Sequence, residues 1–566
     1  MISPVNAPAS GAQTPSPPAQ PEVAVVAGIG PGKEDSRPGR RLDALGALLL
    51  AASSLTIVAA LLKSGVRVTA EDGYYYFKIA QQMAHGAGST FDGLHPTNGY
   101  HPLWLLCLTP IFRFIPDPNM ALTAGILLQG VFMAAGVVLL YITARRTIGR
   151  SAASLSTLLW LGLAYPLCLS GLEFSLHALG VLAIACLYVG AFGKEMPRRP
   201  APYLALGLIV SLAFLARLDT LLLAGILGLF LVCRERRAGW TRGSRTRLLA
   251  FGLPILATCL LYAGVNAWLF GHPLPISGVV KREWSLTLLA QDPLYRSHGW
   301  LTAKGALLLQ PLRRLREQWP LAAGAFLVPG LSLAAAGNRR SLRWGRLWRA
   351  WQPYGPFALF SALQLLSTVL IYHGDLSFKP WYYVAQPWLA ALLVGIIFDR
   401  GAGWLIRWRE ASWLPGALLL LIWSVIPLAI GISVKQRVQR ARLIRDPLYD
   451  AALWARGHLP PDAVIGSWNA GTIGFISGRR VVDLDGLVNS WDYWQAGRFD
   501  LCRYWQQNRI AYLVDAFENG QALSRVPTYS AYAPCAGRLE RVWSSDRYGV
   551  SWHMEAYRIP LRDERK

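Results

Sequence analysis

Eleven apolar stretches, separated by loops that are either arginine-rich or acidic and aromatic, constrain this chain more than any other feature. They run over about 42–63, 119–143, 151–169, 173–192, 202–216, 218–233, 248–270, 321–336, 354–373, 383–399 and 413–433. Crossing a bilayer takes roughly 20 apolar residues. Inside the hydrocarbon layer every backbone N–H and C=O must be paired within the protein, so each stretch is expected to be a helix. Only 16% of the residues are charged, against roughly 25% in a soluble domain. The expected fold is a polytopic α-helical membrane protein with about 11 spans, followed by a soluble α/β domain.

The net charge of +24 would suit a nucleic-acid partner if the basic residues formed a continuous face. They do not. Arg145, Arg146 and Arg150, the run Arg234 to Arg247, and the run Arg339 to Arg349 sit in short loops between apolar blocks, which is the positive-inside pattern. With Arg40 and Arg41 inside, the basic loops 144–150, 193–201, 234–247, 337–353 and 400–412 fall on the inner side. Loops 64–118, 170–172, 217, 271–320 and 374–382, and everything after 433, fall on the outer side. This alternation requires that the apolar segment 101–116, which contains Pro102, Pro110 and Pro116, does not cross. Residues 1–40 are expected to be a disordered inner tail, with no cleavable signal peptide, and 41–433 a membrane domain.

From 448 onward the apolar runs shorten. Ala463–Ser467, Val481–Leu484 and Ile510–Val514 read as strands, and Leu448–His458 and Trp491–Gln507 as helices. The 434–566 region is thus a small outer α/β domain. Five of the seven cysteines lie in or beside spans, whereas Cys502 and Cys535 lie in this domain and are candidates for a disulfide.

The most informative loop follows the first span. It opens on Glu71 and Asp72, continues through Tyr74, Tyr75, Tyr76, Phe77 and Lys78, and reaches Asp92, His95, Asn98, Tyr100, His101 and Trp104. A carboxylate in the first turn of a helix is stabilised as the anion and can take a proton from an attacking hydroxyl. Lys78 can neutralise a phosphate. The same residues also suit a plain interfacial helix anchored by tyrosines.

The run EDGYYYFKIA…FDGLHPTNGYHPLW resembles bacterial GT-C type membrane glycosyltransferases, in particular a group carrying a glycosyltransferase RgtA/B/C/D-like domain. The resemblance extends through Ser170-Gly171-Leu172-Glu173, Ala216-Arg217-Leu218-Asp219, residues 271–278, Lys379 to Tyr383 and Asp483 to Asn489. It implies a protein of the bacterial inner membrane. Such a protein moves a sugar from a polyprenyl-phosphate donor to a glycan, lipid or protein acceptor on the outer face, with inversion. It also implies an acidic base in the first outer loop: Asp72 is the best match and Glu71 its close competitor.

Several other residues gain candidate roles from this likeness. Glu173 is either a helix-end partner or a second active-site carboxylate, and the resemblance favours the latter. Lys78 and Arg217 are the leading phosphate partners, followed by Lys379 and by Lys281, which with Arg282 also reads as a solvated loop pair. Asp219 either pairs with Arg217 or touches substrate. Tyr75, His95, Asn98 and His101 are expected to shape the donor pocket, and Asp485 and Asn489 to bind carbohydrate from the outer domain. His95 and His101, with His85 and Asp92 nearby, are candidates for a divalent metal, and such a site needs three or four converging ligands. No Walker A loop, dinucleotide fingerprint or Gly-x-Ser-x-Gly elbow is present. The competing readings are a transporter or flippase of lipid-linked sugar, and an inactive glycan-binding scaffold. A transporter would place its charges at mid-membrane and show repeated halves, whereas here the charges sit at span ends.

Overall fold

The structure is a computed structural model that describes residues 37–64, 68–193, 195–337, 351–409, 413–443, 446–516, 539–545 and 553–559. Residues 1–36 of the expected tail and Cys535 lie outside the described residues.

All eleven apolar stretches are helical. Among the described residues seven helices are long and apolar enough to cross a membrane: Gly39–Lys63, Pro118–Arg145, Arg150–Cys168, Phe174–Phe192, Arg242–Phe270, Gln352–Ile371 and Gly416–Arg440. By this criterion seven of the eleven expected stretches qualify. Pro102–Phe114 and Ala201–Ala216 are apolar but shorter. Thr220–Arg237 ends in a basic turn, 321–336 is divided by a π-helical turn at Ala323–Leu327, and Ala385–Arg409 carries Asp399 and Arg400 in its middle.

The first helices are α1 (Arg37–Lys63), α2 (Glu71–Ala84), α3 (Pro102–Phe114), α4 (Pro118–Arg145), α5 (Arg150–Cys168), α6 (Phe174–Leu187), α7 (Ala201–Ala216), α8 (Thr220–Arg237), α9 (Arg242–Phe270), α10 (Ile276–Gln291) and α11 (Pro293–Leu308). Their boundaries have local causes. Asp117 caps α4 by accepting from the Met120 N–H at 2.7 Å, with Pro118 in the first turn. Thr241 and Ser244 form a reciprocal capping box at the start of α9, which ends on the left-handed Gly271 (φ 73°). Leu253, Leu256 and Leu260 on α9 and Leu420, Leu421 and Leu428 on Leu414–Leu443 are exposed, as lipid-facing side chains are.

The path of α3 follows from what α4 touches. Gln129 of α4 donates to Leu172 O and accepts from the Gly171 N–H, whereas Arg145 at its far end binds Asp43 near the start of α1. The two ends of the bundle are thereby distinguished, and α1 and α4 run in opposite senses between them. Both α2 and α3 lie at the end away from Asp43. At the Asp43 end the basic residues are paired: Arg145 and Arg150 with Asp43, and Arg247 with Glu235 at 2.6 Å.

The soluble domain is a five-stranded mixed sheet in the order β2-β1-β3-β5-β4. Strands β1 (Val464–Ser467), β2 (Arg480–Asp483) and β3 (Ile510–Ala516) are parallel, and β4 (Glu540–Ser544) and β5 (Met554–Arg558) complete it antiparallel. The first three agree with the sequence expectation within a few residues. The helix expected over 491–507 is broken into Trp491–Gln495, a 3₁₀ turn at Gly497–Phe499 and Leu501–Gln507, because Asp500 starts the last piece afresh by capping the Arg503 N–H. Cys502 is a disulfide cysteine.

The sheet turns the carboxyl ends of β1 and β2 toward the membrane helices, the usual ligand-facing edge of a parallel sheet. The helix after β1, Ala470–Ile476, packs on α2, where Phe475 meets Tyr74, Phe77 and Phe112 with ring centroids 5.7–6.1 Å apart. Arg498 donates to Glu283 of α10 at 2.6 Å, and the His272 ring stacks on Trp491 at 4.0 Å.

Candidate active site

A cavity of about 60 Å³ lies where the two parts meet, lined by Asp72, Tyr75, Tyr76, Gly99, Tyr100, His101, Leu172, Glu173, Arg217, Ser277, Lys281, Trp381, Tyr382, Leu487 and Val488. These residues come from six loops that the charge pattern assigns to one side. Asp72, Tyr75 and Tyr76 stand at i, i+3 and i+4 on α2 and so share one face. The helix comes close to the 170 loop because it carries glycine at position 73: a Cβ there would lie 2.6 Å from Ser170 O.

Asp72 is half-buried, faces the cavity and makes no side-chain hydrogen bond or ion pair with a described residue. Glu71, its neighbour, points elsewhere. Its carboxylate accepts from the Thr472 N–H at 3.0 and 3.1 Å and from the Thr472 hydroxyl. Burial pushes its pKa up to about 8. The sequence left these two as competitors for one role. Here one carboxyl joins the soluble domain to α2, and the other is left open to the cavity.

Glu173 is 2% exposed and already saturated. It accepts from Arg217 Nη1 at 2.6 Å and from the Tyr76 hydroxyl at 2.9 Å, with His101 Nε2 3.7 Å away. Burial raises its pKa, but His101 and Arg217 more than offset this and hold it below the usual range. Arg217 is in turn held by Asp219 through Nε at 3.2 Å, and Gln364 donates to Asp219 at 2.9 Å. Asp219 thus anchors Arg217 and does not line the cavity. Tyr382 lies beneath two cations, with the Arg217 guanidinium 5.1 Å and the Lys281 ammonium 5.8 Å from its ring centre. Burial opposes the charge on Lys281, yet Tyr382 and Asp72 raise its pKa above that of a free lysine. Burial pushes His101 down to about 4.

The remaining expected residues fall outside the cavity wall. Lys78 is six positions from Asp72, about 240° round the helix. It faces Asp92, and burial lowers it to about 8. Lys379 lies 5.6 Å from the Trp381 ring, and Arg282 is exposed. His95 is paired with Asp92. Asn98 locks the loop to α9 and α10, donating to Asn266 at 2.9 Å and accepting from the Ile276 N–H at 3.0 Å. Asn489 donates to Asp483 O. Burial raises Asp483 and Asp485, and Asp485 is further raised by Asp483 and Asp72. From this loop it is Leu487 and Val488 that reach the cavity. Tyr76, Trp381 and Tyr382 were not singled out from sequence, although Trp381 and Tyr382 stand beside Lys379 in a quoted motif. Among the described residues no three His, Cys, Asp or Glu side chains converge on a metal site.

Residues 433–554 match the family described as Domain of unknown function (DUF8728). No curated protein matches the chain. Solved structures do match. The Archaeoglobus fulgidus oligosaccharyltransferase in its apo form aligns with a TM-score of 0.53 at 12% identity, over 92% of this chain and 75% of that one. ArnT from Cupriavidus metallidurans in the apo state aligns with a TM-score of 0.53 at 14% identity, over 90% of this chain and 97% of that one. The fold resembles that of GT-C membrane glycosyltransferases. ArnT was also solved bound to undecaprenyl phosphate, in a structure that aligns with a TM-score of 0.51 at 13% identity, over 92% of this chain and 98% of that one. At these identities the likeness is one of fold.

Proposed function

We propose that this protein is a membrane glycosyltransferase that uses a polyprenyl-phosphate sugar as donor, with Asp72 as its base. The carrying observation is a contrast: Asp72, which has no hydrogen-bond or ion-pair partner among the described residues, shares the cavity with two cations, Arg217 and Lys281, while the neighbouring acids Glu71, Glu173 and Asp219 are all engaged. Asp72 takes the proton of the acceptor hydroxyl as its oxygen attacks the anomeric carbon. The bond from that carbon to the phosphate oxygen breaks, and its electron pair leaves with the polyprenyl phosphate. The added negative charge on the leaving group is offset by Lys281 and Arg217. A single displacement of this kind inverts the anomeric centre. Glu173 acts through Arg217 and is a positioning residue. Leu487 and Val488 close the acceptor side, so the soluble domain contributes to the site. The likeness to ArnT and to the archaeal oligosaccharyltransferase supports the lipid-phosphate donor.

The test is transfer from a panel of labelled polyprenyl-phosphate sugars by the full chain in proteoliposomes. Asp72→Asn should lose roughly 10²–10⁴-fold without a change in thermal unfolding. Full activity in that variant would remove Asp72 from the reaction. Movement of the lipid-linked sugar across the bilayer without transfer would favour the transporter reading.

A further inference from the structure

A second, open cleft of about 340 Å³ lies away from the catalytic cavity, lined by Asp292, Leu294, Ala303, Ala306, Leu307, Gln310, Arg313, Arg314 and His373. Its frame is rigidly set. Lys304 of α11 is 4% exposed and donates to the Val369 and Tyr372 carbonyls at 2.8 and 2.6 Å, fixing α11 against the end of the helix Gly355–Ile371. Asp292 caps α11 by accepting from the Leu294 N–H at 2.7 Å, and its other oxygen accepts from His373 Nε2 at 2.7 Å. The one carboxylate in the cleft is therefore engaged.

Two guanidiniums and one ring nitrogen remain without a hydrogen-bond partner among the described residues. Arg313 and Arg314 make no hydrogen bond or ion pair with a described residue. His373 is 5% exposed, and its buried Nδ1 has no partner. Two guanidiniums over an apolar floor ask for an anion with an apolar continuation. The surroundings supply the second half of that requirement: Trp300, Leu301, Leu309, Leu312 and Leu315, on the same stretch of chain, are all exposed. A short helical stretch with outward leucines and a tryptophan interleaved with arginines is suited to the bilayer interface.

We propose that this cleft binds the head group of an anionic phospholipid, with Arg313 and Arg314 on the phosphate and the acyl chains against Leu307, Leu309 and Leu312. The charge balance selects an anion, and the apolar floor and rim select a lipid over a free phosphate. The site goes beyond the transfer reaction and does not depend on it.

The experiment uses the full chain in phosphatidylcholine nanodiscs doped with spin-labelled phosphatidylglycerol or spin-labelled phosphatidylcholine, and reads the immobilised fraction by electron paramagnetic resonance. Wild type should immobilise phosphatidylglycerol selectively, and inorganic phosphate should not displace it. A cation beside an anionic lipid surface contributes roughly fivefold in affinity, so Arg313→Gln with Arg314→Gln should lose on the order of tenfold or more. Ala306→Trp, which fills the floor without changing charge, should lose selectivity as well. Arg313→Lys with Arg314→Lys should keep most of it, and Arg316→Gln, outside the cleft, should keep all of it. Absence of selectivity in wild type, displacement by phosphate, wild-type binding by the double glutamine or the tryptophan variant, or an equal loss in Arg316→Gln would each overturn the proposal.

Discussion

Gly99 is where the seam between the membrane helices and the soluble domain is tightest. A Cβ at this position would stand 1.8 Å from Leu487 O, 2.9 Å from Leu487 C and 3.2 Å from Val488 Cα. All three are backbone atoms, so no side-chain rotation relieves the clash. Ordinary contact begins near 3.4 Å, and Gly99→Ala must therefore push the two backbones apart by about 1.6 Å. Overpacking of this kind costs about 1–3 kcal/mol. Leu487 and Val488 are also cavity wall, and a misplacement of about 1 Å in a reacting geometry costs roughly 10²-fold in rate. The expected result is a transfer rate down by about that factor, alongside a modestly lowered thermal midpoint. The control is Gly264→Ala, whose Cβ would meet nothing within 4 Å. A Gly99→Ala protein with wild-type midpoint and rate would refute the docking of the two parts. A lowered midpoint with full activity would show that the soluble domain is no wall of the catalytic cavity.

Three other substitutions separate the acidic and basic groups by role. Lys78→Met should leave the apparent KM for the donor within about twofold, because Lys78 lies off the cavity face of α2; a large rise in KM would restore it as a phosphate partner. Glu71 has a folded pKa raised to about 8 from an ordinary 4.5, so the folded protein binds the extra proton, and stability falls as pH rises between those values. Glu71→Gln should flatten that slope in pH-dependent melts, and an unchanged slope would contradict the assignment. Glu173→Gln leaves Arg217 with Asp219 as its remaining carboxylate. It should cost less than the about 3–5 kcal/mol of an orphaned buried charge while lowering kcat, and a variant with unaltered kcat would show that Arg217 needs no second support.

Much of the architecture was legible because membrane insertion leaves few options. Apolar length gave the helices, while the arginines at 145–150 and 234–247 and the prolines in 101–116 gave an expected alternation of sides. The rest depended on contacts between distant residues. Nothing near Glu71 and Asp72 ranks them, since the partner that claims Glu71 is 401 positions away. Lys78 was favoured by its nearness along the chain to Asp72, whereas helical rotation carries it away from the cavity. Lys281 looked like half of a solvated pair with Arg282; one faces Tyr382 and the other is exposed, a difference set by the face of α10. Strands β4 and β5 are short and charged, and pairing with β3 makes them strands more than their own pattern does.

The latch between Glu71 and Thr472 also has a meaning in time. A ribosome adding roughly 5–20 residues per second needs on the order of tens of seconds to cover the 401 positions between them. For all of that interval Asp72 is already made and α2 has no lid, yet the wall formed by Leu487 and Val488 does not exist. A nascent or truncated chain would thus carry Asp72 without an enclosed chamber, and on the proposed function a lipid-linked sugar reaching it would meet water in place of its acceptor. On the proposed function, competence would arrive only when the last domain folds back onto the first loop.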